Sequence, residues 1–240
     1  MSLKTKNLFL SSLSPSAREL LISHSTEVEL PIRTVLYAAE QTPTHAYFMT
    51  SGIASIVTAM PDGATAEVGL IGREGLVGSF HLLGPLPAST DCFIQLQGDA
   101  LRIPLRQLEK AFRSSEEIRD RVLEFVQNQA LGLAQLAGCH RLHEAEQRLA
   151  RWLLMAQDRV HEDDLNFTQE FLAMMLGSRR TTVTAVAGAL QRDGMIEYRR
   201  GRVKILDREK LEAAACDCYK ILKEQFVNLY KQDVTAASLD

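Results

Sequence analysis

The chain has 240 residues, of which 46% are hydrophobic and 24% charged, so it is long enough for two domains that bury a core. This composition excludes disordered and fibrous proteins. The formal net charge is −3, but residues 177–206 contain seven Lys and Arg residues and only two acidic ones. A polyanion such as nucleic acid responds to this local positive potential and not to the net charge.

Neither a membrane segment nor a secretion signal is predicted. No apolar run approaches the roughly 20 residues that cross a bilayer, and the start MSLKTKNLF lacks the apolar core of a secretory signal. Four cysteines, Cys92, Cys139, Cys216 and Cys218, form no CxxC pair and are too scattered for a disulfide framework. We therefore expect a cytoplasmic protein with reduced thiols and no membrane partner.

The first half of the chain reads as a short helix followed by many short strands. Ser14 and Pro15 are typical of the first residues of a helix. Brief runs rich in Val, Ile, Thr and aromatic residues then alternate with turn signals such as Ser51-Gly52. The runs lie at residues 34–37, 46–50, 53–57, 67–71 and 92–96. This pattern predicts a small antiparallel barrel or sandwich.

Beyond Pro104 the strand pattern stops and a long helix is predicted. Ser114 or Ser115, followed by Glu116 and Glu117, indicates its N-terminus. One seam then repeats at spacings of three and four, at Ile118, Val122, Phe125, Gln129, Leu133 and Leu136. Such a seam is typical of helix pairing, so we predict that these residues form a dimer interface. The alternative is a helix that packs only on its own strands.

Gly138 interrupts this pattern, and a second helix is predicted from about His140 to Arg159. We interpret Gly138 as a hinge and a domain boundary. The predicted regions are a strand-rich domain at residues 1–112, a pairing helix and hinge at 113–138, and a C-terminal domain with a helical extension at 139–240.

Two groups of residues have features of metal ligands. His140 and His143, near Cys139 and Glu144, have a helical spacing that a metal ion could use. Further along the chain, the pair of thiols at residues 216 and 218 could serve redox chemistry or bind a metal. We interpret both groups as ordinary surface, hinge or thiol residues, and no metal site is predicted.

Residues 165–205 read as two short helices joined by a tight turn and followed by a basic hairpin. Thr168 is a good N-cap for the first helix, and Gly177 can adopt the left-handed conformation that ends it. The second helix begins near Arg179 and ends at Asp193-Gly194. The hairpin after it predicts a wing with a charged turn.

This arrangement is typical of a DNA-binding helix-turn-helix, whose second helix presents its early residues to base edges in the major groove. Arg forms paired hydrogen bonds with guanine, and Thr bonds a base or offers its methyl group to thymine. A charged wing turn suits phosphate contacts, which position the protein without reading sequence. The predicted DNA-binding residues are Thr168, Ser178, Arg179, Arg180, Thr181, Thr182, Thr184, Ala185, Arg200 and Arg202. The alternative is a three-helix domain with a solvated basic loop.

A strand-rich roll, a long pairing helix and a C-terminal winged helix-turn-helix together resemble the Crp/Fnr family of bacterial transcription regulators. The resemblance spans about residues 10–207, and its strongest motif is FTQEFLAMMLGSRRTTVTAVAGALQRDGMI. It implies an α+β fold with an N-terminal antiparallel, jelly-roll-like β-roll. It also implies a homodimer on near-palindromic double-stranded DNA, with half-sites about 34 Å apart, and RNA polymerase as a partner.

Within the motif, Arg180 matches the family's guanine-reading Arg. Thr181 and Ala185 stand where the cAMP-binding member of the family has a Glu and a second Arg. We therefore expect a DNA target that differs from that of the cAMP-binding member.

The resemblance also implies an effector pocket, with residues Gly72, Arg73, Glu74, Ser89 and Thr90. Cyclic-nucleotide-binding members carry a Gly-Glu turn for the ribose and an Arg before Ser or Thr for the phosphate. Here Glu74 comes one place late, and no Arg or Lys occurs between Arg73 and Arg102. A buried phosphate would lack a charge partner. We therefore expect a degenerate pocket without tight cAMP binding, and its effector is unknown.

No cofactor is predicted. Oxygen-sensing members of the family hold iron and sulfur on an N-terminal cysteine cluster, whereas this chain has no Cys before Cys92. A haem on His45 or His81 is the remaining alternative. These residues do not form the HxH pair of a cupin-like enzyme, and no nucleophile motif occurs, so we do not expect an enzyme. The competing function is a ligand sensor or scaffold whose helix-turn-helix binds protein.

Overall fold

Residues 6–61, 63–199 and 201–230 are described by the structure, a computed structural model. Contacts divide the chain into two units. The first falls within Met1–Ile56, Gly69–Leu131 and Gln225–Asp240, and the second within Val57–Val68 and Gly132–Glu224. The predicted boundaries differ from this division, because the long helix is shared by both units and residues 225–230 belong with the first.

In the part of the chain that the structure describes, eight short strands form the roll. They are β1 (Thr26–Leu30), β2 (Val35–Tyr37), β3 (His45–Met49), β4 (Ile53–Ala59), β5 (Thr65–Ile71), β6 (Leu76–Val77), β7 (Asp91–Leu96) and β8 (Gly98–Pro104). Two four-stranded sheets result, ordered β1-β8-β3-β6 and β2-β7-β4-β5. Strand β8 pairs antiparallel with β1 and β3. The predicted antiparallel roll is confirmed, and each predicted run overlaps a strand.

Three α-helices among the described residues accompany the roll: α1 (Leu8–Ser11), α2 (Pro15–Ile22) and α3 (Leu105–Ser114). The start of α2 is as predicted, because the Ser14 hydroxyl accepts a hydrogen bond from the Ala17 N–H at 3.3 Å. Aromatic rings contact one another in the core of the first unit. The ring of Phe9 lies 5.7 Å from that of Phe48 and 6.1 Å from that of Phe125.

The long helix α4 spans Glu116–Leu142. Ser115 precedes it, and its hydroxyl accepts from the Ile118 N–H at 3.3 Å. The helix runs through Gly138, so the predicted interruption there is wrong; a single Gly weakens a helix without having to end it. The break falls at His143, and α5 (Ala145–Val160) then begins with a capping box between Glu144 and Gln147.

The predicted pairing seam is not the free face of α4. Ile118, Val122 and Phe125 are at most 2% exposed and belong to the core of the first unit. The Gln129 side-chain oxygen accepts a hydrogen bond from the Ser79 hydroxyl at 2.9 Å. The last two residues of the seam, Leu133 and Leu136, are half-buried. The exposed face of the helix instead carries Leu123, Gln127, Ala130, Leu131, Ala134, Ala137 and Gly138.

The second unit contains the predicted winged helix-turn-helix. Its elements after α5 are β9 (Asp164–Asn166), α6 (Gln169–Leu176), α7 (Arg180–Arg192), β10 (Ile196–Arg199), β11 (Arg202–Ile205), α8 (Arg208–Ala214) and α9 (Cys218–Asn228). The wing has three strands, ordered β10-β11-β9. Beneath the helices, the Trp152 ring lies 4.7 Å from that of Phe167, which stacks on Phe171 at 5.7 Å.

Over the described ranges, no helix combines the length and the apolar character that crossing a membrane requires.

Candidate nucleic-acid interface

Local hydrogen bonds fix both ends of α6. The Thr168 hydroxyl accepts from the Phe171 N–H at 3.2 Å, as predicted for an N-cap. Gly177 ends α6 with a φ of 54°, in the left-handed region that favours Gly. Ser178 donates its hydroxyl to the Leu176 carbonyl at 3.2 Å and its N–H to the Ala173 carbonyl at 2.9 Å. These contacts fix how α7 follows α6.

The first turns of α7 expose the predicted base-reading residues. Arg179, Arg180, Thr181, Thr184 and Ala185 are exposed, and Thr182 is half-buried. The opposite face of the helix packs inward through Val183, Ala187 and Leu190. Thr184 donates its hydroxyl to the Arg180 carbonyl at 3.0 Å. Because the hydroxyl is used within the helix, the methyl group is what Thr184 offers outward.

Arg180 is held by a carboxylate that the sequence did not single out. Its Nη2 lies 2.8 Å from Oε2 of Glu170 on α6, and the two side chains are 61% and 73% exposed. An ion pair this exposed contributes about 0–1 kcal/mol, so little opposes its exchange for another anion or acceptor. Glu170 pairs with Arg180 without burying it.

The wing presents a second set of cations. Arg202 pairs bidentately with Asp164, through Nε to Oδ1 at 2.9 Å and Nη2 to Oδ2 at 3.0 Å. Arg199 and Lys204 are also exposed. The predicted contact Arg200 lies outside the described residues.

Sequence reasoning missed Glu170 and Asp164, which are far in sequence from the Arg residues that they pair with. It also missed Gln191, whose side-chain oxygen accepts from the Tyr198 N–H at 2.7 Å and joins α7 to β10. No spacing rule links these positions, because each contact depends on how α6, α7 and the wing pack.

The predicted effector residues around Gly72 are occupied with local structure. The Gly72 N–H donates to Oε2 of Glu74 at 3.0 Å, and Glu74 is 4% exposed. The carbonyl of Arg73 accepts from the Leu8 N–H at 2.8 Å. The Tyr230 hydroxyl donates to the Glu74 carbonyl. The carboxylate of Glu74 therefore closes its own turn.

The other predicted effector residues have different surroundings. Ser89 is exposed and Thr90 half-buried. Burial raises the pKa of Tyr37, and a side-chain hydrogen bond with Thr90 opposes this effect without cancelling it. A cleft of about 210 Å³ in the roll is lined by Glu27, Val28, Glu29, Thr50, Asp99, Ala100 and Leu101. Its three carboxylates disfavour an anionic ligand such as a cyclic nucleotide.

Two family profiles match the chain: a cyclic nucleotide-binding domain over residues 27–115 and a Crp-like helix-turn-helix domain over residues 147–214. No curated protein matches it significantly in sequence.

Several solved structures share the fold. A transcriptional regulator of the Crp/Fnr family from Eubacterium rectale is 17% identical with a TM-score of 0.69, and the match covers 85% of this chain and 95% of that one. FixK2 from Bradyrhizobium japonicum is 14% identical with a TM-score of 0.68, covering 80% and 98%. The c-di-GMP responsive global regulator CLP from Xanthomonas campestris is 20% identical with a TM-score of 0.65, covering 80% and 99%.

Proposed function

The chain belongs to the Crp/Fnr family of transcription regulators, and we propose that it binds DNA sequence-specifically as a homodimer in the cytoplasm. Members of this family are regulators and not enzymes. The observation that carries the proposal is the exposed N-terminal part of α7, where Arg180 stands 61% exposed beside exposed Thr and Ala side chains.

Base reading is assigned to α7. Arg180 exchanges its ion pair with Glu170 for paired hydrogen bonds to a guanine in the major groove. Thr181, Thr184 and Ala185 stand on the same exposed part of the helix and supply small polar and methyl contacts. Their small size makes Arg180 the dominant source of discrimination between bases.

Phosphate contacts are assigned to the surroundings of that helix. Thr168 caps the start of α6, whereas Ser178, Arg179 and Thr182 lie at the turn and the start of α7. Arg202 lies on the wing. Such contacts fix the register of the protein on the duplex and carry no sequence information. We also expect a phosphate contact from Arg200, which lies outside the described residues.

The homodimer is assigned to the exposed face of α4. Leu123 and Leu131 are 44% and 52% exposed. With the exposed residues at 127, 130, 134 and 137, the face has the spacing of a heptad seam. Its alanines allow two helices of about 40 Å to approach closely. A symmetric pair places two copies of α7 on a near-palindromic site, with RNA polymerase as the expected further partner.

The effector pocket is proposed to be degenerate. Glu74 is committed to Gly72, and the cleft in the roll is acidic. Neither the Glu74 carboxylate nor the acidic cleft offers a cation to a cyclic phosphate, so tight cAMP binding is not expected. Calorimetry that gave a micromolar dissociation constant for cAMP would contradict this assignment.

The experiment that tests DNA reading is selection of random duplexes by the wild type, Arg180→Ala and Arg202→Ala. We expect a near-palindromic consensus for the wild type. Arg180→Ala should lose about 1–3 kcal/mol and relax the preference at one position in each half-site. Arg202→Ala should weaken all sequences alike, because phosphates are common to them.

A salt titration of the same complexes separates this function from a protein-binding helix-turn-helix. Binding to DNA should weaken steeply as salt rises, because counterions are released from the phosphates. If no sequence were enriched and salt had no effect, the proposed function would be wrong.

A further inference from the structure

Four metal-ligating side chains meet in the second unit, although they come from distant parts of the chain. Cys139 lies in the last turn of α4 and His143 directly follows that helix, whereas Cys216 lies between α8 and α9 and Cys218 is the first residue of α9. Their three sulfur atoms and one ring nitrogen all lie within 4.8 Å of one another. Each pair alone is weak as a signal, and only the fold brings both pairs together.

The spacing of these atoms suits one tetrahedral ion. Zn²⁺ lies about 2.3 Å from thiolate sulfur and about 2.0–2.1 Å from imidazole nitrogen, so neighbouring ligand atoms are about 3.4–3.8 Å apart. The sulfur atoms of Cys139 and Cys216 are 3.5 Å apart, and the Cys218 sulfur is 3.6 Å from Nδ1 of His143. An iron–sulfur cluster spreads its ligands over two or more iron atoms, so some of the four ligand atoms would lie farther apart than the 4.8 Å found here.

The surroundings of the site also favour a bound ion with thiolate ligands. Gln135 donates its side-chain N–H to the Cys218 sulfur at 3.1 Å, as outer residues do to orient a ligand. Arg151 is 2% exposed, and its Nε has no hydrogen-bond partner among the described residues. Its positive charge acts on Cys139 and Cys216. Zn²⁺ with three thiolates has one net negative charge, which would balance this buried cation.

We propose that Cys139, His143, Cys216 and Cys218 bind one Zn²⁺ ion in a closed, four-coordinate site. Three S–H bonds are replaced by three S–Zn bonds, three protons go to solvent, and no oxidation state changes. Four protein ligands leave no open position, as in a structural site. The ion would join the end of α4 to the segment that follows the wing, and so close a loop that contains the whole helix-turn-helix.

The experiment uses the full chain, purified with reductant, stripped by a chelator and titrated with Zn²⁺ or Co²⁺. We expect a single ion per chain, a melting temperature that rises with Zn²⁺, and the intense visible absorption of tetrahedral Co²⁺ with thiolate ligands. These readouts do not involve DNA, so they are independent of the proposed regulatory function. No zinc uptake and no cobalt spectrum would overturn the proposal.

Variants assign the ligands. Cys216→Ser and His143→Ala should lower Zn²⁺ affinity more than Gln135→Leu, for which the loss of an outer hydrogen bond predicts about 10–100-fold. Cys92→Ser and His24→Ala are matched controls outside the cluster and should bind as the wild type does. Iron with inorganic sulfide in place of zinc, or a Cys139–Cys216 disulfide in the protein as isolated under reductant, would overturn the zinc site.

Discussion

Two polar side chains of the roll, Asn7 and Glu74, are buried and bonded to backbone groups, whereas two arginines of the helix-wing surface are exposed and pair with exposed carboxylates. Asn7 is fully buried and donates to the carbonyls of Met49 and Gly75 at 2.8 and 2.9 Å. By contrast, Arg180 and Arg202 are 61% and 62% exposed. A buried group without its partner costs about 1–3 kcal/mol, and an exposed ion pair contributes at most about 1 kcal/mol.

The difference teaches which groups are available to a partner. Glu74, although predicted as an effector residue, already satisfies the Gly72 N–H. Arg180 can leave Glu170 at small cost. Asn7 and Glu74 therefore stabilise the roll, whereas Arg180 can exchange its partner.

The largest effect is expected from disrupting the proposed homodimer through the exposed face of α4. Leu131→Asp places a charge in the exposed seam of α4, where Leu131 is 52% exposed. We expect the homodimer to dissociate and affinity for a palindromic duplex to fall by about 10²–10⁴-fold, because bivalent binding is lost. Sedimentation and a binding titration measure the two effects.

Leu86→Asp is the matched control, since Leu86 is 82% exposed in a loop of the first unit. It should remain dimeric and bind as the wild type does. A dimeric Leu131→Asp protein with full affinity would rule out this face of α4 as the interface.

A smaller effect, on stability, is expected from removing the buried carboxylate of Glu74. Glu74→Ala leaves the Gly72 N–H without its acceptor, which should lower the free energy of unfolding by about 1–3 kcal/mol. Urea denaturation measures the change. Glu19→Ala, at an exposed site on α2, should change stability by less than about 0.5 kcal/mol. Equal losses in the two variants would mean that Glu74 is not a structural residue.

The smallest effect is expected from removing the ion pair of Arg180 on the exposed surface of α7. Glu170→Gln removes the carboxylate that holds Arg180. Because the ion pair contributes at most about 1 kcal/mol, affinity for the selected duplex should rise by up to about fivefold. The exposed Glu162→Gln variant controls for the change in net charge in a binding titration. Weaker binding by Glu170→Gln would show that Glu170 positions Arg180 for the base.

Local signals predicted most elements correctly. Ser14 and Ser115 do accept the backbone hydrogen bonds expected of caps, and Gly177 ends α6 in the left-handed region. These features depend on neighbouring residues alone, so they can be read from the chain directly. Gly138 was misread because a helix tolerates a Gly when other contacts hold it, and those contacts lie outside the local sequence.

The sequence by itself determined the roll, the long helix and the winged helix-turn-helix, since strand and helix periods and turn residues are local properties. Tertiary structure alone decided which face of α4 is exposed. The seam that begins at Ile118 and the seam that contains Leu123 both repeat at spacings of three and four residues, and only packing on the roll buries the first and leaves the second exposed. Tertiary structure also decided that Cys139 and His143 meet Cys216 and Cys218. Two such distant segments become neighbours only when the helices between them have packed.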